Sequence, residues 1–377
     1  MKIQSLAFFV IFALSPVAAV AQQLPIPQPA AGFVQPKTPW GDPDLQGFWP
    51  GVEMVGVPLQ RPARYGTRNV LTEEEFAKRA SEIKNEEESL LAEIDVFTAD
   101  VTTPCVIRCP TSPTPHWQET GKPSRQASLI VDPIDGRQPP LSAEGQARQA
   151  QQQADAKARS TRLQGREADT YLDRSLYDRC ITRGVGGVFP VLYGNGLRIV
   201  QTPDAVVISY EMVHDTRVIP LDGRANVGRA IKQYMGSARG HFEGDTLVVE
   251  TTNFTDRIGF QGPNSEGLKL TERFTRIDPQ MIDYRIRVED PAMYTAPFTM
   301  RFTITAQPNY QMYEYSCHEG NSAVGNALSG ERAYERLVAE AKAKGQPIPP
   351  RTMGMEVYSG APVQGVQPVR ELGGAGK

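Results

Sequence analysis

The stretch LKLTERFTRIDPQMIDYRIRVED, residues 268–290, decides the fold class of this chain. Apolar and polar residues alternate along it on both sides of Asp278-Pro279, a pattern typical of two strands joined by a tight turn. One face of the predicted hairpin carries Leu268, Leu270, Glu272, Phe274, Arg276, Ile282, Tyr284, Ile286 and Val288. The pattern predicts a half-buried antiparallel sheet, in which Glu272 is either a buried carboxylate with a raised pKa or an outward charge.

Shorter runs on either side repeat the β pattern. They are LRIVQTPDAVVISYEMV (197–213), RVIPLDGR (217–224), ARGHFEGDTLVVETTNF (238–254), FTMRFTITAQ (298–307) and QMYEYSCHE (311–319). Short strands separated by Gly, Pro and Asp turns predict an antiparallel meander. We therefore predict a mainly β protein whose meander forms a lipocalin-like barrel or, alternatively, a β-sandwich, with helices at its periphery.

Three helices are predicted outside the meander. Thr72 and Glu75 form a capping box at the start of the first, which should run to about Ala92. The second, near residues 142–165, is polar on every face and should therefore lie on the surface. The third spans about 331–344 and has one apolar stripe that can cover the sheet.

The N-terminal sequence MKIQSLAFFVIFALSPVAAVAQQ has the form of a secretory signal. A short apolar run follows Lys2, and Ala19-Val20-Ala21 is a cleavage motif, which makes residues 1–21 the predicted signal; the alternative is a membrane anchor. The rest of the chain then comprises an N-terminal extension with a short strand and the first helix (22–125), the β domain with the inserted polar helix (126–330), and a C-terminal helix with a tail (331–377).

Charge and hydropathy exclude two classes of protein. The chain has 40 Lys and Arg against 43 Asp and Glu, a net charge of −3, so it lacks the cationic excess that binds nucleic acid. No later stretch approaches the roughly twenty apolar residues of a membrane-spanning helix, so no transmembrane segment is predicted. The signal predicts an exported protein, periplasmic or secreted, in a compartment that permits disulfides. The oligomeric state is left open.

Four cysteines allow three disulfide connectivities. The pairing Cys105–Cys109 and Cys180–Cys317 is favoured, because the first two lie close together in a Pro-rich loop. The alternative for that loop is a metal site completed by His116. Three ligands at this spacing match no familiar zinc site, so no metal is predicted.

Six motifs are spread over nearly the whole chain. They are PWGDPDLQG (39–47), SLIVDPIDGR (128–137), DRCITRG (178–184), PLDGR (220–224), GHFEGDTLVVETTNF (240–254) and YEYSCHEGN (313–321). With these motifs the chain resembles a family of exported bacterial proteins of uncharacterised function. The resemblance implies export and no particular activity.

A second resemblance concerns the fold. Gly47-Phe48-Trp49 is similar to the Gly-x-Trp motif of the first lipocalin strand. It implies a β-barrel whose interior holds one small ligand. Three tyrosines on predicted strands, Tyr210, Tyr313 and Tyr315, are candidates to line that cavity and bind the ligand; the alternative is that they pack in the core.

Histidine can take and give protons near neutral pH, which makes the few histidines of this chain candidate catalysts. His318-Glu319 directly follows Cys317. A bridge from Cys317 to Cys180 would hold Arg183 close by, so His318 and Glu319 are predicted catalytic residues and Arg183 a substrate-binding one. The alternative is a structural disulfide with satisfied polar neighbours.

A second candidate pair is His214-Asp215, in the turn between two predicted strands. These residues are predicted to form a catalytic dyad at the rim of the barrel, with Arg217 binding an anionic group of the substrate. The alternative is that Asp215 only stabilises the turn.

No phosphate-binding loop, dinucleotide fingerprint or nucleophile elbow occurs, so no cofactor is predicted. Together these features favour an exported acid/base enzyme that acts on a small, partly apolar molecule by elimination, isomerisation or hydrolysis. Two alternatives stay open: a periplasmic binding or carrier protein without turnover, and an envelope-associated structural protein.

Overall fold

The computed structural model describes residues 29–99, 119, 122–163, 169–185, 193–256, 264–307 and 309–349. Within these residues the chain is mainly β, with two antiparallel sheets and few helices, as predicted. The predicted signal at 1–21, the Cys105–Cys109 pair with His116, and the tail beyond 349 lie outside the described residues. No helix in the described part is long and apolar enough to cross a membrane.

Ten strands of the described residues form the two sheets. In chain order they are β1 (Gly47–Phe48), β2 (Ile130–Asp132), β3 (Leu197–Gln201), β4 (Ala205–Tyr210), β5 (Thr216–Pro220), β6 (Ser237–Glu243), β7 (Thr246–Thr252), β8 (Lys269–Asp278), β9 (Met281–Glu289) and β10 (Phe298–Thr305). The small sheet has the order β1-β3-β4-β5, and the large sheet has the order β2-β10-β9-β8-β7-β6. Neighbouring strands are antiparallel throughout, and most are consecutive in sequence, which is a meander.

The hairpin predicted at 268–290 is confirmed. Strands β8 and β9 pair with Phe274 opposite Tyr284, and the chain turns after Asp278. Along β8 the buried side chains include Leu270, Glu272 and Phe274. Alternation in the sequence was enough to predict this buried face, because successive side chains of a strand point to opposite sides.

Both sheets contribute to one hydrophobic core. Aliphatic side chains of the small sheet pack against aromatic and aliphatic side chains of the large sheet. Members of this core are Ile199, Ile208, Ile219, Leu247, Phe274, Tyr284, Ile286 and Phe302. Trp49 closes one side of it, and its indole N–H donates to the Leu45 carbonyl at 2.9 Å. Side chains therefore fill the region between the sheets that the lipocalin resemblance assigns to a ligand.

A buried ion pair joins the two sheets. Arg217 on β5 donates to both carboxylate oxygens of Glu272 on β8, at 2.9 and 2.5 Å. The hydroxyls of Tyr210, Thr251 and Tyr284 complete the network. Glu272 is thus a buried carboxylate. Arg217, predicted at the rim, lies in the core, because strand alternation turns its side chain inward.

The three helices are α1 (Glu73–Ala99), α2 (Ala143–Leu163) and α3 (Ala323–Ala343). The capping box of α1 is present, since Glu75 accepts from the Thr72 N–H and the Thr72 hydroxyl accepts from the Glu75 N–H. Helix α3 begins at Ala323 rather than near 331.

The strand predicted at 311–319 is wrong, because this segment has no regular structure. Strand β10, which precedes it, already has a hydrogen-bonded neighbour on each side, β9 and β2. A further strand that continued the meander would have no free edge of β10 to join. The segment instead runs over the end of the sheets, where the Cys180–Cys317 disulfide holds it.

We expect Glu272→Leu to lower the free energy of unfolding by about 3–5 kcal/mol, because it leaves the buried Arg217 charge unpaired. The double variant Arg217→Met/Glu272→Leu should be more stable than Glu272→Leu alone. Urea denaturation measures both. Arg273→Met is the matched control, since Arg273 pairs with Glu243 on the exposed face of the same sheet and should contribute far less. A double variant less stable than the single one would contradict this account of the pair.

Candidate functional site

The Cys180–Cys317 disulfide is present and organises one end of the molecule. Its Cα atoms lie 5.6 Å apart and its partners are 137 residues apart in sequence. The bridge ties the irregular segment after β10 to the segment before β3. The turn between β4 and β5, residues 211–215, lies against both.

The two histidines predicted as separate candidates lie together. The ring centroids of His214 and His318 are 6.1 Å apart, with an angle of 35° between the ring planes. Both side chains are exposed, as is Glu319. The disulfide explains the pairing, because it fixes the residue directly before His318 to the other segment. Two proton-transfer groups therefore face the same region of solvent.

Asp215 connects the turn to the segment that carries Cys180. Its carboxylate accepts from the hydroxyl of Thr182 at 2.6 Å and from the backbone N–H of Arg183 at 3.2 Å. Thr182 is buried. Burial raises the pKa of Asp215, although these two hydrogen bonds and the neighbouring His214 act to lower it. Asp215 therefore positions the turn that presents His214.

The backbone of this region is unusual. Among the described non-glycine residues with positive φ, Cys180, Val213 and His214 have values of 53°, 61° and 46° and all lie at this site. Such conformations are disfavoured for residues with a Cβ, and for a β-branched valine most of all. They persist only where the surroundings enforce them, and they concentrate at functional sites.

Three tyrosines, Tyr177, Tyr193 and Tyr315, form what we call the phenol cluster. The Tyr177 hydroxyl lies 2.7 Å from that of Tyr193 and 2.8 Å from that of Tyr315. The rings of Tyr193 and Tyr315 are stacked, with their centroids 6.4 Å apart. The guanidinium of Arg183 lies over the Tyr177 ring, 5.6 Å from its centroid. Burial and the two neighbouring hydroxyls raise the pKa of Tyr177, so the cluster holds neutral phenols at neutral pH.

Two residues of the phenol cluster were not predicted from the sequence. Tyr177 precedes Cys180 by three residues, and a bridge at Cys180 would have brought it to the site along with Arg183. Tyr193 lies in a loop before β3 and carries no local signal. Only the folded chain brings Tyr193 into contact with Tyr177 and Tyr315.

The other predicted binding residues lie elsewhere. Tyr210 is buried in the core, where its hydroxyl accepts from Arg217. Tyr313 is 71% exposed, whereas Tyr315 is half-buried. It borders an open surface pocket of about 530 Å³, whose lining also includes Lys122, Gln307, Asn309, Tyr310 and Gln311.

A carboxyl group that the sequence did not single out is bound by Tyr310, one of the residues that line this pocket. The Tyr310 hydroxyl donates to Glu211, directly after β4. Across the same loop, the Asn195 side chain donates to Glu119, whose pKa burial raises. Gly196 allows this approach, since a Cβ there would collide with the Glu211 carboxylate and the Tyr310 hydroxyl. These contacts anchor the turn at 211–215 from its other side.

No group of three or more His, Cys, Asp or Glu side chains suited to a metal ion occurs within the described ranges. No protein-family model, curated protein or solved structure matches the chain. The resemblance to exported bacterial proteins therefore stays a prediction that rests on the motifs alone.

The disulfide should contribute both stability and the placement of His318. We expect Cys180→Ala/Cys317→Ala to lower the free energy of unfolding by about 2–5 kcal/mol, as measured by urea denaturation without reductant. The proton NMR contact between the rings of His214 and His318 should vanish. Ser316→Ala, next to the bridge, is the control and should change neither. A double variant that keeps the contact would show that other interactions position His318.

Asp215 should make stability depend on pH. Since burial raises its pKa in the folded state, its contribution is complete below the unfolded value of about 3.9 and is lost as the pH rises through the folded value. Asp215→Asn removes this loss, so the variant should gain stability relative to the wild type between about pH 4 and pH 7. Urea unfolding at several pH values measures the difference. Asp178→Asn, which removes an exposed carboxylate nearby, is the control. A constant difference would contradict the prediction.

Proposed function

We propose that this protein is an exported acid/base enzyme that needs no organic cofactor and acts on a small, partly apolar molecule. The observation that carries the proposal is the 6.1 Å separation of the His214 and His318 rings. Each imidazole has two ring nitrogens, so a small molecule bound across the pair can make a hydrogen bond to both rings. One imidazole can then remove a proton while the other donates one.

This pairing suits elimination, isomerisation or hydrolysis, since each needs a base and an acid on either side of the reacting bond. His214 and His318 are the proposed catalytic residues. Asp215 is a positioning residue for His214, and Glu319 is the proposed carboxylate partner of His318. The enforced positive φ of His214 supports the proposal, because a merely structural turn would favour Gly or Asn there.

We further propose that the ten strands form one barrel-like arrangement rather than a sandwich. Support comes from Gly240 on β6: a Cβ there would lie 2.8 Å from the Ile219 side chain on β5 and 3.0 Å from that of Leu221. The edges of the two sheets are therefore neighbours. Because side chains fill the interior, the substrate would bind at one end of the barrel. In lipocalin-like carriers, by contrast, the ligand binds inside the barrel.

Export is part of the proposal. The disulfide supports it, since such bonds persist in oxidising compartments such as the periplasm. Binding without turnover is the second candidate function, and the open pocket beside Tyr310 and Tyr313 favours it, because its lining offers amide and hydroxyl groups without a histidine.

The test compares turnover by the wild type with that of two variants over a panel of small esters, lactones and hydroxy acids. His214→Asn suits the positive φ, and His318→Gln preserves size. Each should lower kcat by about 10²–10⁴-fold. The control is His241→Gln, which removes an exposed histidine on β6. Equal turnover by all variants would refute the catalytic roles, and binding without turnover would favour the second candidate.

A further inference from the structure

Arg183 has an unusual set of contacts for a half-buried cation. Its guanidinium approaches the thioether sulfur of Met212 at 3.0 Å and lies over the Tyr177 ring. Neither is a strong hydrogen-bond acceptor. Within the described part of the chain, no carboxylate or carbonyl accepts from this guanidinium. Buried and half-buried charges in proteins are usually paired, so the arrangement leaves a cation that lacks its anion.

The carboxylates nearest in the fold are engaged elsewhere. Asp215 accepts from the Arg183 backbone and from Thr182, not from the guanidinium. Glu211 accepts from Tyr310 on the other side of the turn. Burial lowers the pKa of Arg183, and the only groups that oppose this are the three tyrosines of the phenol cluster. The charge is thus partly withdrawn from water without compensation from an acidic side chain.

The phenol cluster adds hydroxyl donors next to this cation. Tyr177 makes hydrogen bonds with Tyr193 and Tyr315. Two of the three phenol protons lie in these bonds, and the third can turn toward a bound acceptor. An anion beside Arg183 would therefore meet a hydroxyl donor as well as the guanidinium.

We propose that the substrate carries a carboxylate, which Arg183 binds together with an O–H of the phenol cluster. This inference rests on the proposed function and names its substrate class. A guanidinium binds a carboxylate with two parallel N–H···O bonds, and the phenol adds a third donor. A phosphate dianion fits less well, because the wall has one guanidinium. The stacked tyrosine rings supply contacts for an apolar part.

The first experiment measures binding by titration calorimetry, with benzoate as the probe and benzamide as its neutral analogue. The oxidised wild-type chain should bind benzoate at least tenfold more tightly than benzamide, because hydrogen bonds to a charged acceptor are stronger than those to a neutral one. Arg183→Gln should lose at least tenfold in benzoate affinity, and Tyr193→Phe a few-fold. Circular dichroism checks that both variants fold.

Arg179→Gln is the matched control, since Arg179 also lies over a tyrosine ring, that of Tyr171, but outside the site. It should bind benzoate like the wild type. Equal affinity for benzoate and benzamide, unchanged affinity in Arg183→Gln, or no binding of benzoate at millimolar concentration would each overturn the inference.

The two proposals fail separately. If His214→Asn and His318→Gln bind benzoate normally, the carboxylate site stands whether or not the wild type shows turnover. Turnover that persists in Arg183→Gln with unchanged KM would overturn the carboxylate site and leave the catalytic roles of the histidines in place.

Discussion

The buried pair of Arg217 and Glu272 is the constraint on which the arrangement of this end of the fold depends. It joins β5 of the small sheet to β8 of the large sheet inside a hydrophobic core, where an unpaired charge would be strongly destabilising. Only one relative placement of the two strands satisfies both charges. Because Arg217 follows the turn at 211–215 by two residues, that placement also fixes where the turn presents His214.

The candidate site is built from segments that are remote in sequence. The disulfide holds the Cys180 segment against the one that carries His318, and Asp215 fixes the turn to Thr182 and Arg183. These cross-links hold three non-glycine residues at positive φ, which isolated loops would avoid. The rigidity of the site thus comes from links between loops rather than from any one strand or helix.

Sequence patterns predicted the features that depend only on neighbouring residues. The alternation at 268–290 and the capping box at Thr72 are such features, and both are present in the fold. The supposed strand at 311–319 failed because joining a sheet needs a free edge, which no local sequence reveals. Arg217 was misplaced because the sequence did not show that strand alternation turns its side chain into the core. The phenol cluster and the unpaired guanidinium emerge only from contacts between distant segments.

The covalent link between Cys180 and Cys317 has a bearing on when the proposed site forms. A newly synthesised chain has thiols at these positions, and a reducing cytoplasm keeps them reduced. In the proposed enzyme the two imidazoles would then lack the bond that holds them as neighbours. If the protein is exported as proposed, chemical competence would be gained only after the chain leaves the cytoplasm.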